Sequence, residues 1–192
     1  MTARAVVVCE GTHDSAGLGA LAERLDREQD IAPPSAYRVR LLDAGGIDEV
    51  PRLCELARSL GFRVVAAIDH DRDDAEAARR LAAIEQYAHG VVRLPRGAAI
   101  ERALIDGVPR ADLLAVLRRL EAVYTLQLPN DLEARSDQAV HELAVRRLKK
   151  RNGLHAEFVA ALPASSLSAL GIRLLVTMLE LARGSRSGTV DL

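Results

Sequence analysis

The chain has 192 residues, of which 49% are apolar and 28% charged, and its formal net charge is −1. This length suits one large domain, or one domain with an appendage, and the balanced charge excludes a global electrostatic attraction to nucleic acid. Aromatic residues make up only 3% and tryptophan is absent, which excludes base stacking on aromatic side chains as the main mode of binding.

Strand and helix signals alternate over the first half of the chain. Short apolar runs predict β-strands over residues 4–10, 37–46, 64–68 and 91–95, and helical spacing predicts α-helices over residues 12–28, 47–61 and 73–90. The resulting order, β-α-β-α-β-α-β, is typical of an open parallel sheet covered by helices. In such sheets, functional sites collect at the carboxyl ends of the strands.

From about residue 98 onward the strand signals stop. The pattern there predicts only helices, over residues 98–107, 110–126, 136–150, 154–162 and 165–183. We therefore expect an α/β domain over residues 1–108, a helical domain over residues 109–183 packed on it, and a flexible tail over residues 184–192. An exposed apolar face on the helical domain would suit a homodimer.

Acidic residues follow the predicted strands at the points where they end. Glu10 ends the first strand and Asp69 the third, with Asp14 and Asp71 shortly after them; Glu101 follows the fourth strand. Like charges ~4 Å apart repel by about 1 kcal/mol in water and about 4 kcal/mol at an effective dielectric of 20. A bound cation would offset that repulsion, and a ligand set made only of oxygens selects Mg²⁺ or Mn²⁺ over zinc.

Some of these acids have a simpler structural explanation. Acidic residues at the first turn of a helix stabilise it by capping and through the helix dipole. We assign that role to Asp73 and Asp74, and it also accounts in part for Asp14. It does not account for Glu10 or Asp69, because those two residues end buried strands.

The other metal-ligating residue types form no pattern of their own. Cys9 and Cys54 lie in apolar segments and match no metal spacing, so we expect buried free thiols in a reducing compartment. His13 and His70 lie beside the acids, but each would need its own ligand geometry to take a direct part. With no signal peptide and no apolar run of ~18 residues, we expect a cytoplasmic protein that does not enter the membrane.

Three segments resemble the Toprim domain, which is shared by topoisomerases, bacterial primases and several nucleases. They are VVVCEGTHD (6–14), AIDHDRD (67–73) and LPRGAAIERAL (94–104). The signature of that domain is a Glu after the first strand and an Asp-x-Asp after the third. Here it implies Glu10, Asp69 and Asp71.

Further features are most similar to the overcoming lysogenization defect (OLD) nucleases. These are the additional Asp14, the Glu101 of IERAL, and the segment LKKRNGLHAEF (148–158). The resemblance implies a Toprim-like open parallel sheet flanked by helices, with a C-terminal helical appendage. It also implies DNA cleavage that depends on two Mg²⁺ or Mn²⁺ ions.

The resemblance assigns roles to particular side chains. It implies metal ligation by Glu10, Asp14, Asp69, Asp71 and Glu101. A lysine of the helical segment, Lys149 or Lys150, would stabilise the transition state electrostatically, although a basic run at a helix end is equally typical of a solvated terminus. DNA contacts are expected from Arg93, Arg96 and Arg151.

OLD proteins pair an N-terminal ABC-type ATPase with the Toprim nuclease. This sequence has no G-x-x-x-x-G-K-[ST] phosphate loop. We therefore expect the nuclease portion alone, with the ATPase domain absent from this chain.

Two other activities are less compatible with the pattern. A topoisomerase needs a nucleophilic tyrosine, but Tyr37, Tyr87 and Tyr124 lie in ordinary strand or helix patterns. Phosphatases of the haloacid-dehalogenase type place their Asp-x-Asp after the first strand, not the third. A Toprim-like module that binds nucleic acid without cutting it, or a nuclease that acts on RNA, stays open as an alternative.

Overall fold

The structure is a computed structural model, and it describes residues 4–29, 31–70, 72–150 and 154–192. Its strands are β1 (Ala5–Cys9), β2 (Val39–Asp43), β3 (Arg63–Ile68), β4 (Gly90–Arg93) and β5 (Gly188–Asp191). They form one parallel sheet in the order β2-β1-β3-β4-β5. The predicted open parallel sheet flanked by helices is confirmed.

The helices occupy the connections and the second half of the described chain. They are α1 (Thr12–Gln29), α2 (Val50–Ser59), α3 (Ala75–Tyr87), α4 (Ile100–Ile105), α5 (Arg110–Tyr124), α6 (Asp137–Lys150), α7 (Leu154–Ala161) and α8 (Ala169–Arg183). Short 3₁₀ turns precede β2, α2, α6 and α8. Within the described ranges, no helix combines the length and the apolar character needed to cross a membrane.

The two faces of the sheet pack against different helices. In β1, Val6 and Val8 point toward Cys54 of α2 and Ile84 of α3. The alternate residues, such as Val7, belong to a larger core that includes α1 and the helices of the second half. This alternation follows from the period of two in a β-strand, and burial on both faces explains why β1 and β3 read as continuous apolar runs.

The helix α3 begins at Ala75, two residues later than predicted, and of the two expected capping residues Asp74 takes the N-cap position. The carboxylate of Asp74 accepts hydrogen bonds from the backbone N–H groups of Glu76 and Ala77. Its role is therefore the structural one expected from the sequence. The last helix begins later than predicted, at Ala169, because Ser168 caps it by accepting the Gly171 N–H.

The predicted flexible tail over residues 184–192 is wrong for its last part. Residues Gly188–Asp191 form β5, which extends the sheet beside β4, and Asp191 holds Arg93 through two hydrogen bonds of 2.7 and 3.0 Å. The sequence of β5 has a single apolar residue, so hydrophobic periodicity could not predict this strand. Backbone pairing with β4 and the contact between Asp191 and Arg93 hold this strand in the sheet, although its own sequence has little β-strand character.

The predicted domain boundary after residue 108 stays a prediction. The helix α8, which follows that boundary in the chain, packs against β1, β3 and β4. One continuous core contains Val65 of the sheet together with Leu117, Leu148 and Leu175 from the later helices. The later helices therefore complete the core of the sheet.

Candidate metal centre

The first two acids meet at the carboxyl ends of neighbouring strands. Glu10 directly follows β1 and Asp69 directly follows β3, and the two strands pair in parallel. The Oε1 atom of Glu10 accepts the backbone N–H of Asp69 at 2.7 Å. The tip of β1 is thereby tied to the tip of β3 through a carboxylate rather than through the strand ladder alone.

Asp69 in turn fixes the start of α4. Its Oδ1 atom accepts the backbone N–H of Ile100 at 3.0 Å. The loops after β3 and β4 are also joined by their backbones, since the N–H of His70 donates to the carbonyl of Ala98 at 3.0 Å and the N–H of Gly97 donates to the carbonyl of His70 at 2.6 Å. These contacts bring Glu101, the next residue of α4, to the same edge of the sheet.

Asp14 reaches the site from the first turn of α1. Its Oδ2 atom accepts the N–H of Gly11 at 3.0 Å. Asp14 and Asp69 both line a small cavity of about 10 Å³, with Cys9 and Leu18 among the apolar walls. A cavity of that size has room for about one water molecule.

The pKa of Asp69 reflects its burial and the charges of the neighbouring acids. Burial, followed by the charges of Glu10, Asp14 and Glu101, raises the pKa of Asp69 to about 9, against the lowering effect of the Ile100 N–H. Burial also raises the pKa of Asp14, with Glu101 adding to the effect. A carboxyl group held in this way would ionise readily only if a cation joined the cluster.

Glu101 is paired with a residue that sequence reasoning missed. Burial raises the pKa of Glu101, but the interaction with His155 and the charge of Lys149 outweigh that effect and lower it below its ordinary value. The Nε2 atom of His155, on α7, lies 3.6 Å from Oε1 of Glu101. The available signal was weak, because His155 is a single histidine inside an apolar helix.

The histidines beside the acids have different surroundings. The ring of His13 stacks on that of His155, with centroids 5.6 Å apart and planes 4° from parallel. His70 contributes its backbone to the joining of the two loops. His13 therefore faces the acidic cluster together with His155.

Glu10 and Asp69 also line an open cleft of about 320 Å³. Arg72 and Arg80 stand on its walls. Arg80 is engaged by Asp48 at 2.8 Å and by Glu76 at 2.7 Å. Arg72 is 61% exposed, and its Nε atom lies 3.9 Å from Oδ2 of Asp74.

The donor chemistry of these side chains fits a hard divalent cation, because such cations prefer carboxylate oxygens and four separate elements supply them at this edge of the sheet. In the part of the chain that the structure describes, no three His, Cys, Asp or Glu side chains have the arrangement of a metal site. The predicted ligand Asp71 lies outside the described residues.

Comparison with known proteins bears on this arrangement. Residues 1–71 match the model of a family described as "Overcoming lysogenization defect protein-like, TOPRIM domain". This part of the chain is therefore similar to OLD-like TOPRIM sequences. The resemblance seen in the sequence is thus confirmed, and the OLD-like TOPRIM match spans Glu10, Asp14, Asp69 and Asp71, whereas Glu101 lies beyond it.

The fold extends the likeness beyond the matched residues. It is similar to the "C-terminal region of the Burkholderia pseudomallei OLD protein", with a TM-score of 0.59 and 17% sequence identity, covering 95% of this chain and 100% of that chain. At this identity the likeness shows the fold alone. No curated protein matches the sequence.

The predicted basic residues have mixed surroundings. Lys149 is exposed near the end of α6, and its charge helps to lower the pKa of Glu101. The side chain of Lys150, and Arg151 as a whole, lie outside the described residues.

The two predicted DNA-binding arginines, one at the end of β4 and one in the loop after it, are both paired. Arg93 is held by Asp191 in a bidentate contact. Arg96 is 76% exposed and lies 2.8 Å from Asp73. Of the two, only Arg96 presents most of its surface to solvent, and its role in DNA binding stays a prediction.

Proposed function

We propose that this chain is a divalent-metal-dependent nuclease that hydrolyses DNA phosphodiester bonds. The observation that supports this most directly is the convergence of Glu10, Asp14, Asp69 and Glu101, in which neighbouring acids help to raise the pKa of Asp69 to about 9. Burial and mutual repulsion disfavour the charged form of these carboxyl groups, and a bound cation would offset that cost. The OLD-like TOPRIM match over residues 1–71 supports the same function.

The side chains divide into two groups under this proposal. Glu10 and Asp69, with Asp71, are proposed to hold one cation, and Asp14 and Glu101 to complete the site of a second. Two Mg²⁺ or Mn²⁺ ions would activate water, stabilise charge on the phosphoryl group and assist the leaving oxygen. The charge of Lys149 acts on the carboxyl of Glu101, and we assign to Lys149 the contact with the phosphoryl group.

Arg72 is a further contact with the DNA backbone under this proposal. It lines the cleft beside Glu10 and Asp69 and is only loosely held by Asp74 at 3.9 Å. An exposed guanidinium of this kind can bind a phosphate with two hydrogen bonds. The Asp-x-Asp motif does not identify Arg72 as a site residue, because the position of Arg72 on the cleft depends on the fold.

The partners belong to the same proposal. The likeness in fold to the C-terminal region of an OLD protein supports cooperation with an N-terminal ABC-type ATPase domain. A homodimer stays a prediction; Val123 and Tyr124 at the end of α5 are exposed apolar residues that such an interface would cover.

Nicking of supercoiled plasmid by the purified chain tests the proposed function. With Mg²⁺ or Mn²⁺ we expect nicked product, and we expect Asp69→Ala and EDTA each to reduce the rate at least 100-fold. The matched control is Asp26→Ala, which removes an exposed aspartate of α1 and should leave the rate unchanged.

Two other outcomes would assign the chain to the alternatives. Retardation of DNA in a gel without metal-dependent cutting would identify a binding module. Cleavage of RNA, with plasmid left intact, would identify an RNA nuclease.

A further inference from the structure

The side chains of His155 and Glu101 form a buried polar pair between α7 and α4. His155 is 1% exposed and Glu101 is 8% exposed. The distance of 3.6 Å between Nε2 and Oε1 exceeds the roughly 2.7–3.2 Å of an N–H···O hydrogen bond. The pair is therefore close enough for electrostatic attraction but is not closed into a hydrogen bond.

Several atoms of this pair lack a partner. Among the described residues, neither ring nitrogen of His155 nor the Oε2 atom of Glu101 has a hydrogen-bond partner. Buried polar groups in native proteins are normally paired, so atoms of this kind point to a ligand that completes the site. Oε1 of Glu101 faces the imidazole, and Oε2 is left for that ligand.

The packing of α1 makes room for the imidazole at this place. Gly17 of α1 lies directly against α7, since a Cβ atom built there would be 2.9 Å from Cβ of His155 and 2.9 Å from Cδ1 of Leu104. His13, one turn earlier on α1, stacks on the imidazole ring. The ring is thus held from two sides, and its orientation toward Glu101 is set by the fold.

We propose that His155 is a positioning residue: its Nε2–H attracts Oε1 of Glu101 and thereby directs Oε2 to the divalent cation. The inference rests on the proposed function for the identity of the ligand. Partners of metal-ligating groups typically change metal affinity by about 10- to 100-fold when they are removed. His155 has no direct contact with the cation or the substrate in this role.

Two amide substitutions separate the nitrogens of the ring. The side-chain amide of His155→Gln can take the place of Nε2, whereas the shorter His155→Asn can replace only Nδ1. We expect Mn²⁺ affinity, measured from the electron paramagnetic resonance signal of free Mn²⁺, to fall about 10-fold or more in His155→Asn and to stay within about threefold of the wild type in His155→Gln. Both variants keep a polar amide, so their effects on folding are matched.

A double-mutant comparison shows whether His155 acts through Glu101. In a Glu101→Gln background, the difference between His155→Asn and His155→Gln should disappear. The control His141→Gln replaces a histidine whose ring nitrogens contact the backbone carbonyls of Asp137 and Val108. It should bind Mn²⁺ like the wild type.

The outcomes keep this inference separate from the proposed function. Equal Mn²⁺ affinities in the two His155 variants, or a difference that persists without Glu101, would overturn the positioning role even if the wild type nicks plasmid. Loss of affinity in His155→Asn alone, in a protein that binds Mn²⁺ but cuts no plasmid, would support the positioning role and overturn the nuclease. A wild type that binds no Mn²⁺ would overturn both.

Discussion

The carboxyl group of Asp69 lies where burial and neighbouring acids both disfavour its charge. Its pKa is raised from 3.8 to about 9. It nevertheless accepts the Ile100 N–H, so the same group stabilises the start of α4. Asp69 is therefore at once a structural acceptor and, under the proposed function, a metal ligand.

This environment predicts how the stability of the metal-free protein depends on pH. Between pH 3.8 and about 9 the folded protein holds a proton on Asp69 that the unfolded chain releases, so the free energy of unfolding should fall as the pH rises. The slope from one such group reaches up to about 1.4 kcal/mol per pH unit.

Asp69→Asn should remove this contribution, because an amide does not titrate but still accepts the Ile100 N–H. Urea denaturation in EDTA at pH 6, 7 and 8 would measure it, with Asp26→Asn as the matched control. Parallel pH profiles for wild type and Asp69→Asn would contradict the raised pKa.

At the scale of elements, the contact between α1 and α7 decides how His155 reaches the acids. Gly17 permits the close approach of the two helices, and α7 also receives Arg24 of α1, whose guanidinium donates to the carbonyls of Val159 and Ala160. The two helices are thus joined both by a small residue and by buried hydrogen bonds.

Substitutions of the two glycines of α1 should act in opposite directions. Gly17→Ala places a Cβ atom 2.9 Å from atoms of His155 and Leu104, whereas Gly19→Ala meets nothing within 4 Å. We expect Gly17→Ala to lower the free energy of unfolding by about 1–3 kcal/mol through overpacking. Gly19→Ala should raise it by about 0.5–1 kcal/mol through helix propensity.

Chemical denaturation of the two variants measures the difference directly, since both substitutions give α1 the same gain in propensity. Equal stabilities would show that α1 and α7 do not pack as closely as described.

At the scale of the whole molecule, elements from the end of the chain complete the sheet. The helix α8 covers the strands β1, β3 and β4, and β5 lies beside β4. A fragment of residues 1–108 would lack both elements and expose the apolar side chains that they bury.

We therefore expect the isolated fragment 1–108 not to fold. Its far-ultraviolet circular dichroism should show no cooperative thermal transition, whereas the full chain should unfold in one. A cooperative transition in the fragment would support the predicted boundary after residue 108 as that of an independent domain.

The acidic cluster also predicts a response of the whole fold to metal. A ligand that binds only the folded state, present at 100 times its dissociation constant, adds about 2.7 kcal/mol to stability. For a chain of this size each kcal/mol raises the unfolding midpoint by roughly 2–4 °C. Saturating Mn²⁺ should thus raise the midpoint by roughly 5–10 °C.

Asp69→Asn should lose most of that increase, and Asp26→Asn should keep it. Differential scanning calorimetry with and without Mn²⁺ makes the comparison. An equal increase in wild type and Asp69→Asn would place the binding of Mn²⁺ elsewhere.

The sequence alone determined the order of the first four strands along the chain and the helices between them. It also placed Glu10 and Asp69 at the ends of strands. Apolar runs, helical spacing and capping residues are local signals, and the alternation of strands and helices that they reveal is enough to predict a parallel sheet. The acids Asp14 and Glu101 could be included because they follow the ends of β1 and β4 by only five and eight residues.

Only the tertiary structure decided that β5 joins the sheet, that Asp191 forms an ion pair with Arg93, and that His155 lies beside Glu101. Each of these depends on contacts between segments far apart in the chain, where the local pattern carries no information about the partner. Burial of His155 behind Gly17, in particular, results from the packing of two helices, and no spacing of residues along either helix encodes it.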